Sequence, residues 1–181
     1  SAAQDITVVG IGDMSGDGSC GGVGGGTAVC GVGANDIQKA DYICQNDPNR
    51  PGTKSQWKAL ISDSINRKAC INPNCSPNVG SPAIDWILRA NTTYYRADGA
   101  TVIMNTDANG IFVFGTLSSS ISASTTLWTG LVSNWTYNIG NRCDDWTSGT
   151  GAASGGTGDA GATGATAIQS VNDICSLAHP L

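Results

Sequence analysis

Apolar positions recur at a clear helical spacing in one stretch. Between Asn35 and Gln45, the residues Ile37, Ala40, Ile43 and Cys44 fall on one face. Asn35 or Asp36 can cap the start, and Pro48 and Pro51-Gly52 end the region. Elsewhere the pattern is short and close to period two. Residues 6–9 (Ile-Thr-Val-Val) predict a first strand ending at Gly10. Residues 55–62 alternate, with Trp57, Ala59 and Ile61 on one side and Lys58, Leu60 and Ser62 on the other. Residues 84–88 are apolar around Asp85. Tyr94-Tyr95-Arg96 and Thr101-Val102-Ile103 flank Asp98-Gly99, a hairpin signal. A second turn, residues 107–110, precedes strand-like residues 111–114, and residues 118–126 read as a polar loop.

The most informative stretch runs from Trp135 to Trp146. It is followed by residues 149–167, rich in Gly, Ala and Thr, and then by residues 168–174, ending at Cys175. Gly recurs at every third position (Gly155, Gly158, Gly161, Gly164) without proline, which predicts a flexible loop rather than collagen. A cysteine beside a tryptophan, a long excursion and a return to a second cysteine make a stapled loop, Cys143 to Cys175. Such a bond contributes roughly 3–4 kcal/mol on the chain-entropy model.

Composition agrees with a loop-rich chain. Charged residues make up 13% of the 181, about half the usual share. All 14 acidic residues are Asp, the loop-favouring acid. The length predicts one domain over residues 1–181, with residues 1–34 a Gly-rich N-terminal extension carrying the first strand. Net charge is −5 and the nine Lys and Arg residues form no cluster, which argues against nucleic acid. No apolar run approaches the about 18 residues of a membrane span, residues 1–181 contain no signal peptide, and Ser1 reads as a mature or engineered end.

Seven cysteines indicate an oxidising compartment. Cys20 with Cys30 and Cys70 with Cys75 are candidate local pairs, and Cys143 with Cys175 is the long-loop pair. Cys44 is left over, unpaired within this chain.

Three ordered motifs carry a resemblance: Ala40-Asp41-Tyr42-Ile43-Cys44, Lys58-Ala59-Leu60-Ile61-Ser62-Asp63-Ser64 and Cys143-Asp144-Asp145-Trp146-Thr147-Ser148. In these the chain resembles the leptospiral endostatin-like family of bacterial surface proteins, related to endostatin and the C-type lectin-like fold. The resemblance implies a single α+β, C-type lectin-like (endostatin-like), loop-rich and disulfide-stabilised domain, with residues 55–62 a strand. It implies that Cys44 pairs with a cysteine just beyond Leu181; a buried free thiol is the alternative. It also implies a non-catalytic, adhesin-like protein of the bacterial cell surface or outer membrane, lipid-anchored or secreted. Its expected partners are host extracellular matrix proteins such as laminin and fibronectin, with complement regulators of the factor H type or plasminogen as further partners. Endostatin's heparin and zinc sites are not expected, because the arginine-rich surface and N-terminal histidines are missing.

Candidate chemistry is sparse. Asp13, Ser15, Asp17 and Gly18 imitate the opening of a calcium loop, but position twelve is Gly24, so a turn-rich disulfide loop is the favoured reading. Asn172 and Asp173 echo part of a lectin calcium motif, with a turn or capping role favoured. No other cofactor is expected. A calcium-dependent glycan-binding lectin is therefore one alternative. A hydrolase using the Asp144-Asp145 pair is another, although neighbouring residues of a strand point apart. The single histidine, His179, reads as a solvent-facing tail residue. Trp57, Trp86 and Trp146 are expected in the core. Trp128 and Trp135, beside Gly130 and Asn134, are the candidates for surface contact, with Asp144 and Asp145 beside them.

Overall fold

The structure, a computed structural model, describes residues 4–5, 33–47, 56–77 and 83–181. The strand expected at residues 6–9 and the calcium-like loop with Asp13, Ser15 and Asp17 lie outside the described residues. So do Cys20 and Cys30, and the local disulfide expected between Cys20 and Cys30 is therefore not among the bonds described here.

The elements are α+β. Helix α1 is Asp36–Asn46, and the strands are β1 (Gln4–Asp5), β2 (Thr93–Tyr95), β3 (Val102–Asn105), β4 (Thr126–Trp128), β5 (Ser154–Asp159) and β6 (Asn172–Ile174). One sheet has the order β1-β2-β3, with β1 parallel to β2 and β2 antiparallel to β3. The other has the order β4-β5-β6 and is antiparallel throughout. Among the described residues no helix is long and apolar enough to cross a membrane.

Helix α1 forms where the periodicity predicts it. The Asn35 side chain accepts a hydrogen bond from Gln38 N at 2.9 Å, an N-cap on one of the helix's orphan donors. Ile37, Ala40, Ile43 and Cys44 are the buried face. They join Trp57, Ala59, Ile61, Trp128, Trp146 and Leu181 in one apolar cluster. A second cluster gathers Tyr94, Ile103, Met104, Ile111, Phe112, Leu131, Trp135 and Ile168. The Cys143–Cys175 disulfide lies in the first cluster and Cys70–Cys75 in the second.

The hairpin is present as expected. Asp98 caps the turn between β2 and β3, accepting from Ala100 N, Thr101 N and Thr101 Oγ1 at 2.8, 2.8 and 2.6 Å. The Thr101 hydroxyl and the two amides pull the exposed Asp98 carboxyl down to a pKa of about 2.

Residues 55–62 depart from the expected strand. The described part, 56–62, is irregular. Trp57, Ala59 and Ile61 are buried as the alternation requires, but so is Ser62. The segment's N–H groups are taken up piecemeal. Trp57 N donates to Gln45 Oε1 (2.8 Å), Ala59 N to Asp41 Oδ1 (2.9 Å) and Ser62 N to the Thr129 carbonyl (2.8 Å). Helix side chains replace a strand partner. Residues 111–114 are likewise not a strand. Ile111 and Phe112 are buried, and the Phe112 carbonyl accepts from Trp135 Nε1.

The largest correction concerns residues 149–167. They are not a free loop: β5 runs through them and is the central strand of its sheet. Gly155, Gly156, Thr157 and Gly158 are buried. A Cβ at Gly155 would stand 2.7 Å from the Trp128 ring and 2.8 Å from Cys143 Sγ. Only glycine fits there, because an indole and a disulfide sulfur come close to the strand backbone, the close approach that strand glycines signal.

Candidate functional site

The site is built on the Cys143-Asp144-Asp145-Trp146 motif. These residues form a four-residue helical turn, α2 (Cys143–Trp146), but all four have positive φ: 52°, 53°, 57° and 64°. It is therefore a left-handed turn. Trp146 N donates to the Arg142 carbonyl at 2.8 Å and Ser148 N to the Cys143 carbonyl at 3.0 Å. Left-handed backbone costs about 1–2 kcal/mol for each L-residue, least for Asp and Asn. Such conformations persist where surrounding contacts over-determine them.

Those contacts are present on every side. Cys143 is bonded to Cys175, with both residues fully buried. Trp146, also fully buried, donates from Nε1 to the Ser62 carbonyl at 3.0 Å. Asp145 accepts from Ser64 N, Ser64 Oγ and Arg142 Nε, each at 2.7 Å. Partial burial opposes the Asp145 charge, but the Ser64 hydroxyl and amide and then Arg142 outweigh it and hold the carboxyl below the usual range. The second and third motifs of the sequence thus meet in space: residues 62–64 clamp the turn.

Asp144 faces the other way. It is exposed and lines a shallow groove of about 350 Å³ with Ile139, Gly140, Arg142, Thr150 and Ala152–Ser154. Ile139 stands on this groove 76% exposed. Ile174 pairs across the sheet with Ser154, a residue of the groove wall. Val171, Ile174 and Leu177, along and on either side of the edge strand β6, are also exposed.

The tryptophans expected at the surface are in the core. Trp128 and Trp135 are each 1% exposed and cannot make outside contacts. Trp128 packs edge-on against Trp146 (5.6 Å) and against His179 (4.6 Å). Trp135 is ringed by Phe112, Phe114 and Trp86 at 4.6, 5.7 and 6.1 Å. Neighbouring turn formers suggested exposure; the glycine strand opposite Trp128 and the aromatic nest around Trp135 create the space to bury both. Trp57 and Trp146 are core as expected, and Trp86 is half-buried.

His179 is not a free tail residue. Its ring rests on Trp128 and its Nε2 stands 2.9 Å from Asp173 Oδ2, an ion-pair contact when the ring is protonated. Asn172 and Asp173 are successive positions of β6 rather than turn or cap residues, and they face opposite sides of the sheet. Asn172 meets Asn138 (3.4 Å) while Asp173 meets His179. The two therefore do not converge on one cation. Among the described residues no group of three or more His, Cys, Asp or Glu could hold a metal ion.

An ionic cluster around a buried arginine escaped the sequence reading. Arg67 is fully buried and grips Asp41 in a fork, Nη1–Oδ1 and Nη2–Oδ2 both at 2.7 Å. It also donates to the Ala59 carbonyl, the Asp85 carbonyl and the Asp85 carboxylate. Burial alone would weaken its charge; the Asp41 and Asp85 carboxylates reverse that and raise its pKa. Asp85 is held low: burial raises it, and hydrogen bonds from Lys58 and Arg67 more than offset this. Along the chain Arg67 sits between Asn66 and Lys68 and reads as one more surface charge, so no local signal marks it. Cys44 is buried and unbonded among the described residues, and burial pushes its thiol far up, so it stays protonated.

Neither a curated protein nor a solved structure matches the chain. Residues 16–163, which take in all three motifs, match the family described as "Protein of unknown function (DUF1554)", and the chain belongs to that family.

Proposed function

We propose that this is a non-catalytic, adhesin-like binding protein of a bacterial surface, C-type lectin-like and close to endostatin in fold, that engages host extracellular matrix proteins such as laminin or fibronectin. Complement regulators of the factor H type and plasminogen are further partners of the same reading. It rests on the resemblance carried by the three motifs. The single structural observation that supports it is the groove on the stapled turn. That groove combines an exposed Ile139 and an exposed carboxylate, with the exposed Ile174 of β6 paired to Ser154 of its wall, on a frame fixed by a buried disulfide. Exposed apolar groups rimmed by polar ones are characteristic of protein-binding surfaces. The Asp pair does not favour the hydrolase reading. Asp145 is tied to Ser64 and Arg142 with a lowered pKa, the opposite of a raised general acid.

Surface plasmon resonance with laminin, fibronectin, factor H and plasminogen at physiological salt tests the proposal. Saturable binding to at least one, weakened by Ile139→Ser, is expected. No saturable binding to any of them overturns it.

A further inference from the structure

The groove beside the left-handed turn holds two side chains already engaged and one that is not. Arg142 donates from Nε to Asp145 and from Nη1 to the Ile139 carbonyl, with its guanidinium 5.6 Å from the Tyr137 ring centre. Asp145 in turn is taken up by Ser64 and Arg142. The Asp144 carboxylate is exposed and accepts no hydrogen bond from the described residues. The positive charge in the groove is thus matched by Asp145, and Asp144 remains as an uncompensated negative charge. Lining the same groove is Ile139, an aliphatic side chain with most of its surface in water. Gly140, Ala152 and Ala153 leave the groove open to an approaching chain. The whole molecule carries −5, which attracts cations at long range.

Resting on the binding reading above, we infer that the groove receives a basic segment of a protein partner, with a lysine or arginine head group on Asp144 and an aliphatic stem or neighbour on Ile139. Long basic side chains suit this arrangement, because their methylene stems lie on apolar surface while the charge reaches a carboxylate. A polyanionic partner is disfavoured, since Arg142 is already engaged.

The probe is a capped peptide with lysines interleaved with leucines, paired with its Nε-acetylated twin, titrated calorimetrically into the full chain at low and physiological salt. The lysine peptide is expected to bind, and the acetylated twin about tenfold more weakly. Asp144→Asn should weaken the lysine peptide about tenfold; Asn tolerates the left-handed turn as Asp does. Asp36→Asn, which removes the same charge from helix α1, should change affinity less than twofold. Equal binding of both peptides overturns the inference, as does equal loss in Asp36→Asn and Asp144→Asn. An Asp144-dependent response to spermine with none to the peptide also overturns it. If matrix proteins bind Asp144→Asn as tightly as the parent, the adhesin reading stands and this inference falls. If the peptide needs Asp144 and no matrix protein binds, the inference stands and the matrix ligands fall.

Discussion

At the scale of single residues, aspartate carboxylates hold much of the irregular backbone in place. Asp63 is buried and its Oδ1 accepts from Ile65, Asn66 and Arg67 amides at 3.1, 2.6 and 2.7 Å, holding the loop that delivers Arg67. Asp107 stabilises its turn in the same way through Asn109 and Ile111. Short carboxylates that accept local amides explain why a chain without Glu can order so much irregular backbone. Asp98 provides a pH test. Its pKa is depressed in the folded chain to about 2, against about 3.9 in an unfolded one. Its contribution to the hairpin is therefore complete above about pH 4 and is lost as pH falls toward 2. Carboxyl NMR should place its titration near 2, and Asp98→Asn should lower Tm at pH 6 while narrowing the difference from the parent at pH 2. A normal titration midpoint near 4 would contradict the hydrogen bonding described.

At the scale of elements, the two clearest predictions of the pattern, helix α1 and the 93–105 hairpin, are present because their signals are local. An Asn cap, an apolar stripe and an Asp-Gly turn act within a few residues. The strands the pattern failed to mark are those whose reasons are distant. β5 is glycine-rich because Trp128 and Cys143 press on one part of it and the Ala167 carbonyl on another. A Cβ at Gly158 would fall 2.2 Å from that carbonyl, so Gly158→Ala should destabilise by about 1–3 kcal/mol or more. Gly140→Ala, at a site with nothing within 4 Å and no positive φ, should stay within about 0.5 kcal/mol of the parent. Urea unfolding of the two variants side by side distinguishes a packed strand from a passive loop; equal stabilities would refute the strand.

At the scale of the whole molecule, three segments far apart in sequence are tied at one place. Helix α1 supplies Asp41 to Arg67, residues 62–64 clamp Asp145 and Trp146, and Cys175 closes onto Cys143. The left-handed turn that presents Asp144 exists only while these ties hold. Replacing Cys143 and Cys175 together by Ala should cost about 3–4 kcal/mol and should weaken the proposed matrix binding more than the loss of Cys70–Cys75 does. Thermal melts and plasmon resonance on the two double variants measure this. The smaller loop closes only five residues of separation against 32, so equal effects would mean the long staple does not hold the groove.

By itself the sequence determined the α1 helix and the hairpin, and it offered the pairings Cys70 with Cys75 and Cys143 with Cys175 that the structure shows. The helix, the hairpin and the Cys70–Cys75 pair rest on spacing within a few residues, whereas the Cys143–Cys175 pair, 32 residues apart, is one of many connectivities open to the sequence. Only the tertiary structure decided that Trp128 and Trp135 are core, that the glycine run is a central strand, that Arg67 is buried between carboxylates, and that Asp144 faces out while Asp145 faces in. Burial, close approach and the hand of a turn depend on what lies opposite each residue, and the partners lie tens of residues away along the chain.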